Sequence, residues 1–368
     1  VEVSAAELID FRNYRQERAE FAPGLNLVVG QNGQGKTNLL EAVHLLSAMG
    51  SHRSSSVAPL VRWGAERAVV RASATSRGRA VRVDAEIVAG SGVRMLVNKV
   101  PLERSKDAAE VMATVLFSPD DLALIKGGPE ERRRFLDHAA ARARPLAAAD
   151  RAEFERVLRQ RNGVLKAGLV NPRALRSLEV WDEQFIRSAT AVVAARLGAL
   201  SRIAGEAGDG YRRLAASGVE VNLQYQCSWA EAPPAAGELE AAVRHSVEAT
   251  RARDVERGTT HTGPHRDDLE LTVGGADART FASQGEQRSL ALSLRLAELR
   301  LVTEVRQEQP VLLLDDVFSE LDDSRRVQLA ELVVASGQTI ITTTSPGGVP
   351  LAAARTLTVD AGKILAHA

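Results

Sequence analysis

The sequence predicts an α/β fold of phosphate-loop type. Its head is made from two distant halves, with an appended antiparallel sheet and an inserted, mainly helical arm subdomain. Three observations predict this. Gly30-Gln31-Asn32-Gly33-Gln34-Gly35-Lys36-Thr37 fits G-x-x-x-x-G-K-[ST] between an alternating apolar run, Leu25 to Val29, and a helical pattern of Leu39, Leu40, Val43, Leu45 and Leu46. Far downstream, Pro310-Val311-Leu312-Leu313-Leu314-Asp315-Asp316 reads as a buried parallel strand tipped with carboxylates. Between them, from Pro129 to about Ala207, the pattern turns long and helical, rich in Ala, Arg, Glu and Leu. The boundaries expected are 1–128 for the first half of the head, 129–257 for the arm, and 258–368 for the second half.

In chain order, residues 1–30 read as two strands joined through Phe11-Arg12-Asn13-Tyr14 and the turn at Pro23-Gly24. A helix over Asn38 to Met49 and a polar turn, Gly50 to Ser54, follow. Val69–Ala74, Ala80–Val88 and Val93–Val97 alternate apolar with polar side chains and are set apart by Gly78 and Gly90-Ser91-Gly92. They predict a small antiparallel sheet with one wet face. The helical region has expected breaks at Pro145, Gly163 and Asn171-Pro172. Within it Phe185, Ile186, Val192, Val193, Leu197, Leu200 and Ile203 fall largely on one stripe, the pattern of core packing. A strand (Val219–Gln226) and a helix (Gly237–Glu256) complete the arm. The α/β pattern then resumes as strand Leu269–Val273, helix Gly285–Val305, strand Val311–Leu314, helix Ser324–Ala335 and strand Thr339–Thr342.

Composition bounds the class. Apolar residues make up 45% and charged residues 26%, ordinary for a globular chain with a real core. A single cysteine, Cys227, rules out an internal disulfide and favours a cytoplasmic setting. No apolar run reaches the ~20 residues of a membrane span, and Val1-Glu2-Val3-Ser4 does not read as a signal peptide. The formal net charge is zero, but its distribution is uneven. From His52 through Arg104 to Lys106 the basic residues dominate, Pro129 to Arg176 is Arg-rich, and acids crowd Asp315 to Asp323. Basic regions of this kind are compatible with a phosphate backbone as partner. Candidate contacts are Arg71, Arg79 and Arg82 on the sheet, and Arg132, Arg133 and Arg142 on the arm. Phe, Trp and Tyr are only 4% of the chain, which favours duplex phosphates over stacked single strands.

The motifs assign chemistry. Gly30, Asn32, Gly33 and Gly35 let backbone N–H groups turn toward a β-phosphate at a helix N-terminus. Lys36 would reach the β- and γ-phosphates, and Thr37 with Asp315 would hold Mg²⁺. Asp316 stands where a general base would poise the attacking water, although Asp is shorter than the Glu common at that place. Ser283 caps the helix after Phe281-Ala282-Ser283-Gln284-Gly285-Glu286-Gln287-Arg288. His261 and His265 near Asp267 and Asp268 invite a metal reading, which their place at a strand start disfavours. The role of Gly263 to Leu269 is left open by the sequence.

Phe281 to Arg288 resembles the S-G-G-Q signature of ABC-type ATPases, and Ser319-Glu320-Leu321-Asp322 resembles their D-loop. That resemblance implies two ATP molecules sandwiched in a homodimer, with Ser283, Gln284, Gly285 and Gln287 acting in trans on the partner's nucleotide. Phe11 to Tyr14 looks like the N-terminal nucleotide-contacting segment of SMC-type repair ATPases, which brings in Arg12 and Asn13, with Asn38 and Arg53 nearby. Pro119-Asp120-Asp121-Leu122, Gly127 to Asp137, Gly263 to Leu269, Ser283 to Arg288 and Leu313 to Asp322 together resemble the RecF family, nearly end to end. The resemblance implies a weak, DNA-dependent ATPase with ATP and Mg²⁺ as cofactors. It would be an ATP-driven homodimer on duplex DNA at single-strand/double-strand junctions of gaps, nucleoid-associated, serving repair, replication, recombination and the SOS response. RecR and RecO would be its partners and RecA, indirectly, the protein loaded. The Q-loop Gln of the broader class is missing, with Asp120 a candidate in its place, and Thr343 or Thr344 stands where a switch His is expected. Slow hydrolysis is the expectation. An ABC transport ATPase would need that Gln and a shorter Lys36-to-Asp315 spacing. A nuclease-coupled repair head would need long heptads and a C-x-x-C hook, which one cysteine excludes.

Overall fold

The computed structural model describes residues 1–48, 50–51, 53–54, 56–102, 110–215 and 218–367. Met49, His52, Arg104 and Lys106 lie outside them. The chain forms two compact units. The first is Val1–Asp121 with Arg213–Ala216 and Glu298–Ala368; the second is Leu122–Arg212 with Ser217–Ala297.

The first unit begins with β1 (Glu2–Phe11), β2 (Tyr14–Glu20), β3 (Leu25–Val29) and α1 (Lys36–Ala48). It continues with β4 (Arg67–Ser76), β5 (Arg79–Val88), β6 (Gly92–Val97), β7 (Val100–Pro101) and β8 (Thr114–Phe117). The predicted antiparallel sheet is wider than its own hairpins, with order β2-β1-β4-β5-β6-β7. The N-terminal strands belong to it because β1 pairs with β4 along nearly its whole length, from Glu2 opposite Thr75 to Ile9 opposite Val69.

The second unit holds α2 (Ala123–Lys126), α3 (Pro129–Ala143), α4 (Leu146–Gly168) and most of α5 (Leu178–Ala215). It also holds β9 (Val221–Gln226), α6 (Leu239–Arg257), β10 (Asp268–Val273), β11 (Ala276–Asp277), α7 (Ala278–Phe281) and the start of α8 (Gln284–Arg306). Residues 258–297, grouped by sequence with the second half of the head, fall here. The reason is pairing: β10 runs antiparallel to β9 from Asp268 opposite Gln226 to Val273 opposite Val221. The expected break at Gly163 is absent, since α4 runs through it. At Asn171-Pro172 the break is real, and the Asn171 side chain caps a short 3₁₀ turn by accepting from Arg173 N–H. The predicted stripe of α5 does face the core: Phe185, Ile186, Ala189 and Val192 pack with Phe154, Val157, Val243 and Val247.

Gly263 to Leu269, opaque in the sequence, is the polar hub of this unit. Asp267 is fully buried and accepts from four donors: Tyr225 hydroxyl (2.8 Å), Ser228 N–H (2.8 Å), Ser228 hydroxyl (2.8 Å) and Trp229 Nε1 (3.1 Å). Asp268 takes a bidentate pair from Arg132, both at 2.8 Å, and the Pro264 carbonyl accepts from the buried Arg196 at 2.7 Å. Gly263 sits at φ +119, and a Cβ there would lie 2.6 Å from the Phe185 ring. His265 packs beside Phe154 and Phe185, and burial pushes its pKa down to about 4, so its ring is neutral at pH 7.

The first unit closes with β12 (Val311–Asp315), α9 (Asp323–Val334), β13 (Thr339–Thr343), β14 (Arg355–Asp360) and β15 (Lys363–His367). Its second sheet has the order β15-β14-β3-β13-β12-β8, parallel except for the β14–β15 hairpin. The α1 helix is buried on most of its circumference because it packs on both sheets, against β4 on one and against β8, β12 and β13 on the other. Its Leu39, Leu40, Val43, Leu45 and Leu46 join one core cluster with residues of both sheets.

Candidate nucleotide-binding site

The sheet order sets β13 between β3, which leads into the phosphate loop, and β12, which carries the carboxylates. Two chain segments 278 residues apart therefore meet: the Thr37 hydroxyl donates to Asp315 Oδ1 at 3.0 Å. Lys36 Nζ donates to the Gly30 and Gln31 carbonyls at 2.7 and 3.0 Å, inside its own loop. Burial lowers the Lys36 pKa, and the Asp316 and Asp315 carboxylates oppose that shift. The loop needs Gly30 for space, and Gly35 for space and rotation. A Cβ on Gly30 would lie 2.3 Å from the Val359 carbonyl, and one on Gly35, at φ +124, would lie 2.7 Å from Asn13 Nδ2 and 2.9 Å from the Tyr14 hydroxyl. Asn32 and Gly33 form the exposed crest.

Asp316 departs from the strand. Its φ is +52, its N–H donates to the Thr342 hydroxyl at 2.9 Å, and its carbonyl accepts from the Ser319 hydroxyl at 2.7 Å. Its Oδ1 is buried with no hydrogen-bond partner among the described residues. The oxygens of Thr37 and Asp315 are the hard donor type that Mg²⁺ takes, and their approach fits a site using one carboxylate and one hydroxyl beside a phosphate.

The neighbouring candidates form a scaffold around the loop. Asn13 Nδ2 donates to the Gln34 carbonyl at 2.8 Å, and its Oδ1 accepts from Asn38 Nδ2 at 2.8 Å. Arg53 Nη1 donates to Asn38 Oδ1 at 3.2 Å. Arg12, expected as a nucleotide contact, is held at φ +54 with a bidentate grip on the buried Glu41 (2.8 and 2.7 Å) and a bond to the Pro59 carbonyl (3.0 Å). Tyr14, inside the resembling segment, donates its hydroxyl to the Gly35 carbonyl at 2.9 Å. Sequence reasoning missed Glu41. It also missed the C-terminal hairpin, whose Ala361 and Gly362 N–H groups bond Gln34 Oε1 (2.5 Å) and the Gln34 carbonyl (3.0 Å). A turn glycine at 362 was the available signal.

In the second unit the signature residues form a reciprocal cap. Ser283 N–H donates to Glu286 Oε2 at 2.8 Å, and Glu286 N–H donates to the Ser283 hydroxyl at 3.3 Å. Ser283 and Gln284 are exposed and Gly285 is half-buried. Gln287 is different: its buried amide donates to the Ala278 and Arg279 carbonyls at 3.0 and 3.2 Å, so it braces the preceding turn.

The expected DNA contacts separate in the same way. Arg132 is buried on Asp268 and the Gly127 carbonyl, and Arg133 donates to the Asp267 carbonyl at 2.7 Å, which makes both internal supports. Desolvation of the Arg133 guanidinium lowers its pKa. On the sheet, Arg71 pairs with Glu7 and Arg82 with Asp84, each at 2.9 Å, while Arg79 is exposed. Arg142 is half-buried on α3. Asp120 is exposed, whereas Asp121 turns inward and accepts from Ser118 N–H at 2.8 Å. The Thr343 hydroxyl stays within its own turn, donating to the Ser345 carbonyl (2.9 Å) and accepting from Ser345 N–H (3.2 Å), while its carbonyl accepts from Gly30 N–H at 3.2 Å.

A mostly parallel sheet with a phosphate loop after β3 and paired carboxylates at the tip of β12 defines the head of an ABC/SMC-class ATPase. The family described as RecF/RecN/SMC N terminal domain matches residues 2–360. The "DNA replication and repair protein RecF" of Beutenbergia cavernae is 42% identical over 376 residues, covering 95% of each chain. The chain belongs to the RecF family. A solved structure of "the recombination mediator protein RecF-ATP in RecFOR pathway" aligns with a TM-score of 0.92 at 28% identity, over 100% of this chain and 98% of that one. The Smc head domain from Pyrococcus furiosus, with its extended coiled coil, shares the fold at a TM-score of 0.59 and 16% identity, over 100% of this chain and 96% of that one.

Proposed function

We propose that this chain is an ATP-switched DNA-binding protein of recombinational repair. ATP closes a homodimer, and the dimer grips duplex DNA at the single-strand/double-strand junctions of gaps. There it acts with RecR and RecO to help load RecA, and slow, DNA-dependent hydrolysis releases it in the cytoplasm or nucleoid. The observation that carries the reading is the meeting of Thr37 and Asp315 beside a complete phosphate loop, in a chain with relatives described as DNA replication and repair proteins.

Mg²⁺, when bound with ATP, would neutralise phosphate charge next to Thr37 and Asp315. The chain's own groups do the rest. Loop N–H groups hold the phosphates, and Lys36 exchanges two backbone carbonyls for phosphate oxygens. Asp316 Oδ1, free of protein partners among the described residues, accepts a proton from the attacking water. One chain carries one phosphate loop and one exposed Ser283 cap, so the cap's N–H groups are read as serving the partner's nucleotide.

Lys36→Arg is expected to keep the fold and abolish most ATP-dependent retention on duplex DNA, because a planar guanidinium does not replace a compact ammonium in this loop. Filter retention with and without ATP, over a salt series, measures it. Parental binding should fall steeply with salt and vary little with sequence. Equal ATP-dependent retention by mutant and parent would overturn the proposal. Ser283→Arg is expected to leave monomer ATP affinity nearly intact and to remove ATP-driven dimerisation in sedimentation velocity. A mutant that still dimerises with ATP would refute the sandwich.

A further inference from the structure

One hydroxyl that no motif contains joins the two carboxylate residues of the site. Thr342 is fully buried on β13, in register with Asp315 on one side and Val28 on the other. Its Oγ1 donates to Asp315 Oδ1 at 2.6 Å and accepts from the Asp316 N–H at 2.9 Å. The two carboxylate residues of the site are therefore tied to a single oxygen, one through its side chain and the other through its backbone. Asp316 needs the tie more. It sits at φ +52, a left-handed conformation that Asp tolerates better than most residues with a side chain but that its surroundings must still hold. Asp315 Oδ1 accepts from both Thr37 and Thr342, so when the Thr37 hydroxyl turns to a ligand, Thr342 is the bond that remains.

We infer that Thr342 is a positioning residue for hydrolysis. Its hydroxyl fixes the Asp315 carboxylate and aims the Asp316 carboxylate, without touching the nucleotide. The place is unexpected from sequence, which pointed to Thr343 or Thr344 as the residue after the last core strand that senses the site. The Thr343 hydroxyl is committed to its own turn at Ser345, and the hydroxyl of the residue before it makes the connection to the two carboxylate residues. The inference rests on the reading of Asp316 as the base.

Thr342→Val tests it. Valine has the same shape and a high strand preference, and its neighbours on β13 include Ile340 and Ile341, so the strand is kept while the hydroxyl is lost. The expected result is a kcat for ATP hydrolysis reduced about 10- to 100-fold, the size of losing a hydrogen bond to a charged group and stranding a buried N–H. ATP affinity, measured by equilibrium binding, should stay within about threefold, because the phosphates belong to the loop. Thr342→Ser restores the hydroxyl and should recover kcat to within about threefold of the parent. Thr342→Ala carries the same expectation as valine, so an unfolded valine variant leaves the test standing. Parental kcat in the valine or alanine variant would overturn the inference. So would a serine variant as slow as valine, or an ATP affinity that falls by the same factor as kcat. Asp316→Asn measured alongside separates the two readings. If Asp316→Asn alone costs no rate, the base assignment fails. If it costs rate while Thr342→Val does not, only the positioning role fails.

Discussion

Asp316→Asn should slow single-turnover ATP hydrolysis by about 10²- to 10⁴-fold, the usual cost of removing a general base. Asparagine is nearly isosteric and tolerates a left-handed φ, so the backbone bond to Thr342 and the bond from Ser319 are kept. The amide lacks the proton acceptor that the buried, unpartnered Oδ1 supplies. The short Asp side chain and the inward-turned Thr343 both argue for a low parental rate, so the effect should fall toward the lower end of that range. ATP would still bind and close the proposed dimer, which would then outlive the parent on duplex DNA. The measurement pairs single-turnover hydrolysis with dimer lifetime. Hydrolysis at the parent's rate, or faster release in ATP, would make Asp316 a structural end to β12 instead.

Asp267→Ala is expected to destabilise the second unit by about 3–5 kcal/mol, the loss typical of removing one partner of a buried charged network. Three donors would be stranded at once, the Tyr225 hydroxyl, the Ser228 N–H and Trp229 Nε1, while the Ser228 hydroxyl keeps the Gly263 carbonyl at 3.3 Å. Tyr225 cannot escape by ionising, because burial raises its pKa far above neutrality. Urea unfolding followed by tryptophan fluorescence reads the change, with Trp229 inside the network. A loss below about 1 kcal/mol would mean that water replaces the carboxylate and that the hub is solvated.

The parts of the fold written in apolar period were legible. The Leu25–Val29 and Val311–Leu314 runs are β3 and most of β12, and the stripe from Phe185 to Ile203 is the buried side of α5. Partnership between strands was not legible. β1 and β2 read as part of the head until β4 is seen to pair with β1, and β8, four residues long, carries too short a pattern to stand out. The site divided along the same line. Glycines and Lys36 announce themselves by local spacing, so Gly30 to Thr37 and the Ser283 cap were found. Arg132 and Arg133 looked like surface cations because sequence shows charge and not its counterpart, here Asp268 and the Asp267 carbonyl. Gln287 was misplaced for a related reason, since an amide's direction depends on which carbonyls lie beside it. Thr342 and Glu41 escaped because a threonine in a strand and a glutamate in a helix are ordinary until their distant partners are known.

The bonds from Ala361 and Gly362 to Gln34 set an order of events during synthesis. The outer turn of the phosphate loop is fastened by residues made more than 300 positions after it. β3, which leads into it, lies between β13 and β14, both more than 300 positions downstream. Contacts this distant form late, after loop closure across the whole second unit. A nascent chain would thus carry its Gly-Lys-Thr motif through the synthesis of those 300 positions without a finished pocket around it. Chains interrupted before residue 362 would keep the motif and lack the fastening. Competence to engage nucleotide then depends on synthesis having passed residue 362, a check that needs no separate factor.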